Sequence, residues 1–190
     1  PYGQWTVYGY FLNDKDISVN SADTMGVRWS GDQDVSGINV MYSAEYADQK
    51  DRHDNMVDYS ANYFAVSLGA NFGSVSVLDN FTVTLGHEDM EGRKNRTGHQ
   101  FRTSLADAHS ANGWAGRFET PQNDGLKDTS VSATADYHDY HLTAVYHRFN
   151  RHSGSPHYGH EWDFGISRSF WNRYTASLEV AGFDPVSYTH

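Results

Sequence analysis

The sequence predicts an all-β protein, an antiparallel up-and-down transmembrane β-barrel with about nine strands in this chain of 190 residues. Three observations lead to this fold class. Apolar and polar residues alternate with a period of two along most of the chain, as in strands with two different faces. The connections between these segments alternate between long and short, as in a barrel meander. The polar face is rich in Ser, Thr, Gly and Asn, whereas every Lys falls in a predicted loop.

Nine segments follow the alternating pattern. In the fourth of them, Val66 and Leu68 lie on one face, whereas Ser67 and Gly69 lie on the other. Segments of about ten residues suit strands that cross a bilayer at a tilt. The predicted strands cover residues 4–12, 22–30, 36–48, 63–72, 81–88, 129–137, 140–149, 161–170 and 173–183, so that residues 1–190 form one barrel domain or part of a larger barrel.

The longest connection, over residues 89–127, is expected to be a functional loop. It contains apolar residues that a solvated loop does not need, and the spacing of some of them over residues 99–115 predicts a short amphipathic turn or helix. We expect its second half to be ordered and to fold at or into the pore, with Trp114 as the anchor and two arginines close to interior carboxylates. The residues expected to form this constriction are Arg102, Asn112, Gly113, Trp114 and Arg117.

Alternation alone does not show whether the apolar face packs inside the protein or contacts lipid. In a soluble barrel or sandwich the apolar face points inward, whereas in a membrane barrel it contacts lipid and the polar face lines a wet lumen. Aromatic residues near strand ends, such as Trp29, Tyr42 and Phe72, favour the membrane because they suit its interfaces. Two alternatives stay open: a soluble β-barrel or β-sandwich that binds carbohydrate on aromatic residues, and a structural outer-membrane element with a plugged lumen.

The composition excludes several classes of protein. No apolar run approaches the roughly 20 residues of a transmembrane helix, and 15% aromatic residues are too many for a disordered chain. A net charge of −10 argues against nucleic acid as a partner. The absence of Cys excludes a disulfide scaffold and thiolate metal sites. Because the chain begins with Pro1 and not with Met, we expect a processed or partial chain.

The phase of the alternation assigns a set of charged residues and histidines to the lumen. Acidic residues dominate the set, so we expect small cations to be preferred. Glu161 and Asp163 resemble a glycosidase acid pair, but charged residues of a polar lumen are the simpler interpretation, and no catalytic residue is assigned. His152, His157 and His160 share one loop without tight ligand spacing, so neither a metal nor a cofactor is expected. The predicted lumen residues are Arg28, Glu45, Asp136, His141, His147, Glu161, Asp163, Arg173 and Glu179.

Six segments, in this order along the chain, carry a resemblance to a known family. They are MGVRWSG at 25–31, MYSAEYA at 41–47, VDYSANY at 57–63, LADAHSANGWA at 105–115, DGLKD at 124–128 and AVYHRF at 144–149. The set resembles the alginate export family of Gram-negative outer-membrane barrels and its porin-like relatives. The resemblance implies a non-enzymatic barrel of the bacterial outer membrane, surrounded by lipid and lipopolysaccharide, that passes small solutes or polysaccharide. It also implies that this chain is the C-terminal portion of such a barrel.

Overall fold

A single antiparallel sheet of nine strands makes up the fold, and the strands pair in the order of the sequence. The structure, a computed structural model, describes residues 2–52, 55–103, 112–120, 122–154, 157–171 and 173–186. The strands are β1 (Gln4–Leu12), β2 (Ala22–Val35), β3 (Ile38–Asp51), β4 (Ser60–Asn71), β5 (Asp79–Met90), β6 (Leu126–Tyr137), β7 (Tyr140–Asn150), β8 (Gly159–Phe170) and β9 (Tyr174–Pro185). The predicted all-β class, the up-and-down order and the nine strands are confirmed.

Short turns join the strands at one end of the sheet, the turn end, and long connections join them at the other, the loop end. The long connections cover residues 13–21, 52–59, 91–125 and 151–158, and the short ones residues 36–37, 72–78, 138–139 and 171–173. Residues 99–103 and 112–115 contain no helix, and residues 104–111 of that predicted turn or helix lie outside the described part of the chain. None of the helices in the described residues has the length and apolar character to cross a membrane.

The hairpin between β2 and β3 is tighter than the sequence predicts. The predicted connection at residues 31–35 is wrong, because these residues continue β2 and pair with β3 as far as Val35 opposite Ile38. The turn itself contains only Ser36 and Gly37, with φ angles of 55° and 83°. Two consecutive residues with positive φ form the hairpin turn that matches the twist of the strands. The turn therefore lies at Ser36 and Gly37, and not at the preceding Gly and Asp residues of 31–34, whose composition is typical of a turn.

The two faces of the sheet differ in polarity and exposure. We call the face against which the 91–125 connection packs the inner face, and the opposite one the outer face. Mid-strand residues of the outer face are apolar and exposed, with 54% of Leu68, 52% of Phe164 and 65% of Leu178 open to solvent. The inner face carries buried polar residues such as Glu161. This arrangement reverses that of a soluble sheet, whose apolar face is covered.

The core is small and lies at the loop end of the inner face. Small side chains of the strands, such as Ala47 and Ala61, let the long connections approach the sheet closely. Phe101, from the 91–125 connection, stacks on Tyr63 of β4 with ring centroids 5.4 Å apart. The buried members of this core are Ala22, Ala47, Tyr59, Ala61, Met90, Phe101, Leu126 and Phe149. The core therefore fixes the connections to the sheet and leaves the outer face uncovered.

Aromatic residues bracket the apolar part of the outer face. Phe64 and Phe72 stand eight residues apart along β4 and its end, and Trp162 and Phe170 have the same spacing on β8. Eight residues of strand span about 27 Å, or about 20 Å in height for a strand tilted by about 40°. This height is close to the apolar band of outer-membrane barrels, which aromatic girdles flank at both interfaces.

The sheet is open in the described part of the chain. There β1 pairs with β2 alone, and β9 pairs with β8 alone. A closed barrel needs a partner for each of these edges, because closure is what removes free strand edges within a membrane. The closed, membrane-spanning barrel therefore stays a prediction, whereas the antiparallel meander that would form its wall is observed.

Candidate functional site on the inner face

Residues 112–120, which we call the covering segment, lie against the inner face. Three polar contacts attach the start of this segment to acidic side chains. Asn112 Nδ2 donates to Glu88 Oε2 of β5 over 3.1 Å. The backbone N–H of Ala115 donates to Glu161 Oε1 of β8 over 2.8 Å, and that of Trp114 approaches Asp163 Oδ2 at 3.4 Å. The segment is thus tied to two strands of the sheet by carboxylates on its inner face.

Aromatic packing attaches the rest of the covering segment. The ring centroid of Phe118 lies 4.4 Å from that of Phe149, which is fully buried. Tyr158 and Phe183 complete the cluster, with centroids 5.3 and 5.9 Å from that of Phe118. Burial raises the pKa of Tyr158 to about 12. Phe118 is one of the apolar residues that we expect this connection to bury, and it is a second anchor beside Trp114.

Trp114, the anchor predicted from the sequence, lies over β8. A Cβ atom at Gly165 would stand 2.9 Å from Cη2 of the indole ring, closer than such contacts normally occur. The absence of a side chain at Gly165 therefore lets Trp114 lie directly on the strand backbone. The predicted anchoring of this segment by Trp114 has a contact that supports it, and the narrowing of a pore stays a prediction.

Four titratable side chains meet beneath the covering segment. Asp128 of β6, His147 of β7, and Glu161 and Asp163 of β8 are all buried, the last two completely. His147 Nδ1 lies 2.8 Å from Asp128 Oδ2, and its Nε2 lies 3.6 Å from Asp163 Oδ2. The ladder explains this meeting, because His147 stands directly opposite Glu161. The sequence places His147, Glu161 and Asp163 on one face but does not include Asp128 or show that a loop buries the group.

A cavity of about 330 Å³ opens beside this cluster, between the inner face and the connection that crosses it. Two carboxylates line it, and a tyrosine hydroxyl orients each one. Tyr8 donates to Glu45 Oε1 over 2.5 Å, and Tyr63 donates to Glu88 Oε1 over 2.9 Å. In the ladder, Ala65 stands between the two acids, opposite each of them. Its small side chain leaves the floor between the carboxylates open.

The far wall of the cavity is a hydrogen-bonded group around Gln49. Its Nε2 donates to Thr24 Oγ1 and to the carbonyl of Arg102, both over 2.9 Å. Its Oε1 accepts from the backbone N–H of Arg102 over 2.8 Å and from the hydroxyl of Tyr59 over 3.0 Å. Burial raises the pKa of Tyr59 to about 12. Gln49 thereby fixes the backbone of Arg102, in the long connection, to β3, a role that alternation alone does not reveal.

The two arginines of the predicted constriction contact aromatic rings. The guanidinium of Arg102 lies 5.2 Å from the ring centroid of Tyr59 and donates to the carbonyl of Gly98 over 3.2 Å. That of Arg117 lies 5.7 Å from the ring centroid of Phe183. The expectation that both arginines are available to interior carboxylates stays a prediction, and in the described contacts backbone N–H groups and an amide of the covering segment bind those carboxylates.

Most of the predicted lumen residues occupy inner-face positions. Asp136 and His141 pair with each other at 2.8 Å near the turn end, and the guanidinium of Arg28 lies 3.9 Å from Glu45. Arg173 is the exception, because it precedes β9 and lies in the turn after β8. The residues with inner-face phase are Arg28, Glu45, Asp136, His141, His147, Glu161, Asp163 and Glu179.

The loop histidines do not share a site. His152 lies 2.5 Å from Asp89, and His160 lies 3.6 Å from Asp184, whereas His157 contacts Asn150. Across the described residues, no group of three or more His, Asp and Glu has the geometry to hold a metal ion.

The inner face is a polar, mainly acidic wall, and the cavity and the covering segment described above lie against it. Its exposed carboxylates can bind water and cations, whereas its fully buried pair is closed to solutes while the segment is in place. Both groups of carboxylates occupy strand positions that alternate with the apolar residues of the outer face. The chain matches no protein-family model, no curated protein and no solved structure.

Proposed function

We propose that the nine strands form part of the wall of a β-barrel in a bacterial outer membrane, and that the inner face lines an aqueous passage for small polar solutes. The covering segment narrows this passage. One observation carries the proposal: apolar residues are exposed on the outer face, and polar residues are covered on the inner face. Water would be a poor solvent for such a sheet, whereas lipid outside and water inside suit both of its faces.

The extent of the outer apolar surface supports lipid as its neighbour. Exposed apolar side chains recur on most strands, among them Val7, Leu68, Leu85, Phe164 and Leu178. Covering apolar surface contributes about 25 cal/mol per Å², and soluble monomers rarely expose a continuous apolar patch of more than a few hundred Å². A bilayer covers the whole band at once.

Arginines of the outer face lie near strand ends, as the membrane proposal requires. Arg168 stands near the turn end of β8, bound to Asp139 Oδ2 at 2.8 Å and close to the hydroxyl of Tyr140 at 3.4 Å. Arg148 stands near the loop end of β7, two residues before the strand ends. A charge at the middle of a membrane is costly, but near its interfaces the cost is small and the long side chain reaches head groups.

The charges of the inner face favour cations or neutral polar solutes over anions. Glu45 and Glu88 flank the cavity, and acidic rings select cations in channels. The resemblance to the alginate export family supports an outer-membrane channel without enzymatic activity. A polyanion such as alginate is a poorer fit to this wall than a small cation, so we propose small solutes as the cargo.

A soluble carbohydrate-binding module is the second candidate. Three aromatic rings form a cluster on the outer face of β1, β2 and β3: the centroid of Trp29 lies 6.2 Å from that of Trp5 and 4.8 Å from that of Tyr42. Such rings can stack on sugars in water. The same rings suit the interfacial girdle of a membrane barrel, and the apolar band beyond them favours the membrane.

Refolding of the protein in lipid vesicles tests the proposal. We expect unheated samples to migrate on a denaturing gel at a different position from heated ones, and planar bilayers to show conductance. A variant in which a short Gly-Ser linker replaces residues 99–121 should conduct more. A protein that is folded and soluble without detergent, gives no conductance and is retained on immobilised polysaccharide would support the carbohydrate module instead.

A further inference from the structure

Glu161 and Asp163 form a pair of adjacent carboxyl groups beneath the covering segment. Both side chains are completely buried, and the consecutive backbone N–H groups of Trp114 and Ala115 reach one oxygen of each. Glu161 Oε2 and Asp163 Oδ1 receive no hydrogen bond from any other described group. Two adjacent buried carboxylates cannot both carry a charge at low cost. A proton shared between the two oxygens satisfies both.

The described groups around the pair do not supply enough positive charge to neutralise both carboxylates in place of this proton. Asp128 approaches through His147, which stands between it and Asp163, so one imidazole serves two carboxyl groups. Asp128 Oδ1 is itself buried without a described partner. Two further acids of the inner face are Glu88 of β5 and Glu179 of β9. The inner-face groups around the pair thus comprise one imidazole and otherwise acids, and the guanidinium of Arg117 lies over Phe183.

The same carboxyl groups hold the covering segment. The N–H of Ala115 donates to Glu161, and the N–H of Trp114 approaches Asp163. A Cβ at Gly113 would stand 2.5 Å from Glu161 Oε1, so the segment touches the pair without a spacer. A second charge on the pair would push Glu161 and Asp163 apart and draw in water. Either movement separates the acceptors from their donors.

We propose that the shared proton of Glu161 and Asp163 is a latch that keeps residues 113–115 on the inner face, and that its loss as pH rises releases the covering segment. The proposal rests on the proposed function in one respect, since release would widen the passage. Rising pH adds charge to the acid pair and removes it from His147, and both changes increase repulsion. The segment is therefore held most tightly at acidic pH and less tightly as pH rises.

Limited trypsin digestion of the refolded protein in lipid vesicles reads the latch directly. Arg117 is exposed, but Phe118 after it is packed in the aromatic cluster, so cleavage between them requires release. Cleavage after Lys94, in the same connection, corrects for the pH dependence of trypsin itself. Between about pH 6 and about pH 9, the ratio of the two rates should rise, by up to tenfold per pH unit for one proton.

Two variants remove the titration but keep the acceptors. Glu161→Gln and Asp163→Asn each leave a carbonyl oxygen for the segment, and one amide can donate to the remaining carboxylate. Both variants should stay protected after Arg117 at every pH, and Asp184→Asn, which alters an exposed acid of β9, should follow the parent protein. Heat-modifiable migration shows which variants are folded, so one folded variant of the pair suffices. A folded variant with the same pH profile as the parent overturns the proposal.

Conductance separates the latch from the passage. If the parent conducts more at about pH 9 and Glu161→Gln does not, both proposals are supported. If cleavage after Arg117 rises with pH but bilayers never conduct, the latch stands and the passage is wrong. If conductance is present while neither cleavage nor conductance depends on pH, the passage stands and the latch is wrong.

Discussion

Gly113 shows how one residue couples the covering segment to the wall. Its φ of +84° lies in the region that favours glycine, and a Cβ atom would stand 2.5 Å from Glu161 Oε1. Gly37, in the β2–β3 turn, has nearly the same φ, +83°, but open space around the Cβ position. Comparing alanine substitutions at the two glycines therefore separates the free-energy cost of the backbone conformation from that of contact with the acid pair.

Gly113→Ala should loosen the covering segment more than Gly37→Ala loosens its turn. Both substitutions place alanine at a positive φ, which costs on the order of 1 kcal/mol, but only the first forces the new methyl group against Glu161. We expect faster trypsin cleavage after Arg117 in the Gly113 variant and no change at that bond in the Gly37 variant. Equal cleavage in the two variants would mean that contact with Glu161 does not hold the segment.

Phe149 tests the aromatic anchor. It is fully buried and packs against Phe118, so Phe149→Ala should lower the free energy of unfolding by about 3–5 kcal/mol. Phe164→Ala, on the outer face, should cost clearly less because the protein itself covers only about half of that side chain. Urea unfolding in a mild detergent measures both. A similar loss in both variants would show that Phe149 is not part of a packed core.

At the residue scale, the sequence predicts the face of the sheet on which a side chain lies but not the side chains that it contacts. Alternation correctly gives Asp163 and His147 a common face, because the phase of a strand depends on local pattern alone. Their meeting with Asp128 depends on the register of three strands, in which His147 stands opposite both Glu161 and Ser130. Arg173 is misplaced because the turn after β8 extends to it, and turn boundaries are set by backbone geometry.

The strand is the element on which the membrane proposal can be tested by substitution. Leu142 and Thr143 are consecutive on β7 and lie on opposite faces, Leu142 beside Ile166 and Leu178 of the outer face. Leu142→Arg should destabilise the protein in lipid vesicles by about 2–4 kcal/mol if it lies near mid-membrane. Thr143→Arg, on the inner face, should cost much less. The opposite order in vesicle unfolding experiments would place the lipid on the inner face.

The elements themselves were predicted well because alternation is continuous along each strand. The β2–β3 turn is the exception already described, and the covering segment is the part that period-two reasoning could not place. Its attachment depends on Gly165 and Phe149, which lie on strands far from it in the sequence. A loop that packs through such distant contacts leaves only one local signal, which is aromatic residues such as Trp114 in a polar stretch.

For the whole molecule, the charge of the inner face predicts the selectivity of the passage. The reversal potential in a salt gradient should show preference for small cations. Glu45→Gln combined with Glu88→Gln should reduce that preference, because both carboxylates line the cavity. Asp184→Asn removes an exposed acid of the loop end and should leave the reversal potential unchanged. Anion preference of the parent protein would contradict this assignment.

Site-directed labelling along β4 tests the central claim, that the outer face contacts lipid and the inner face contacts water. The chain has no Cys, so each single substitution to Cys gives one labelling site. The positions are Phe64, Val66 and Leu68 on the outer face, and Ala65 and Ser67 on the inner face. A fluorophore in vesicles should be quenched by brominated lipid at the first three positions and by aqueous iodide at the other two. Quenching without this alternation, or by iodide at all five positions, would contradict the account.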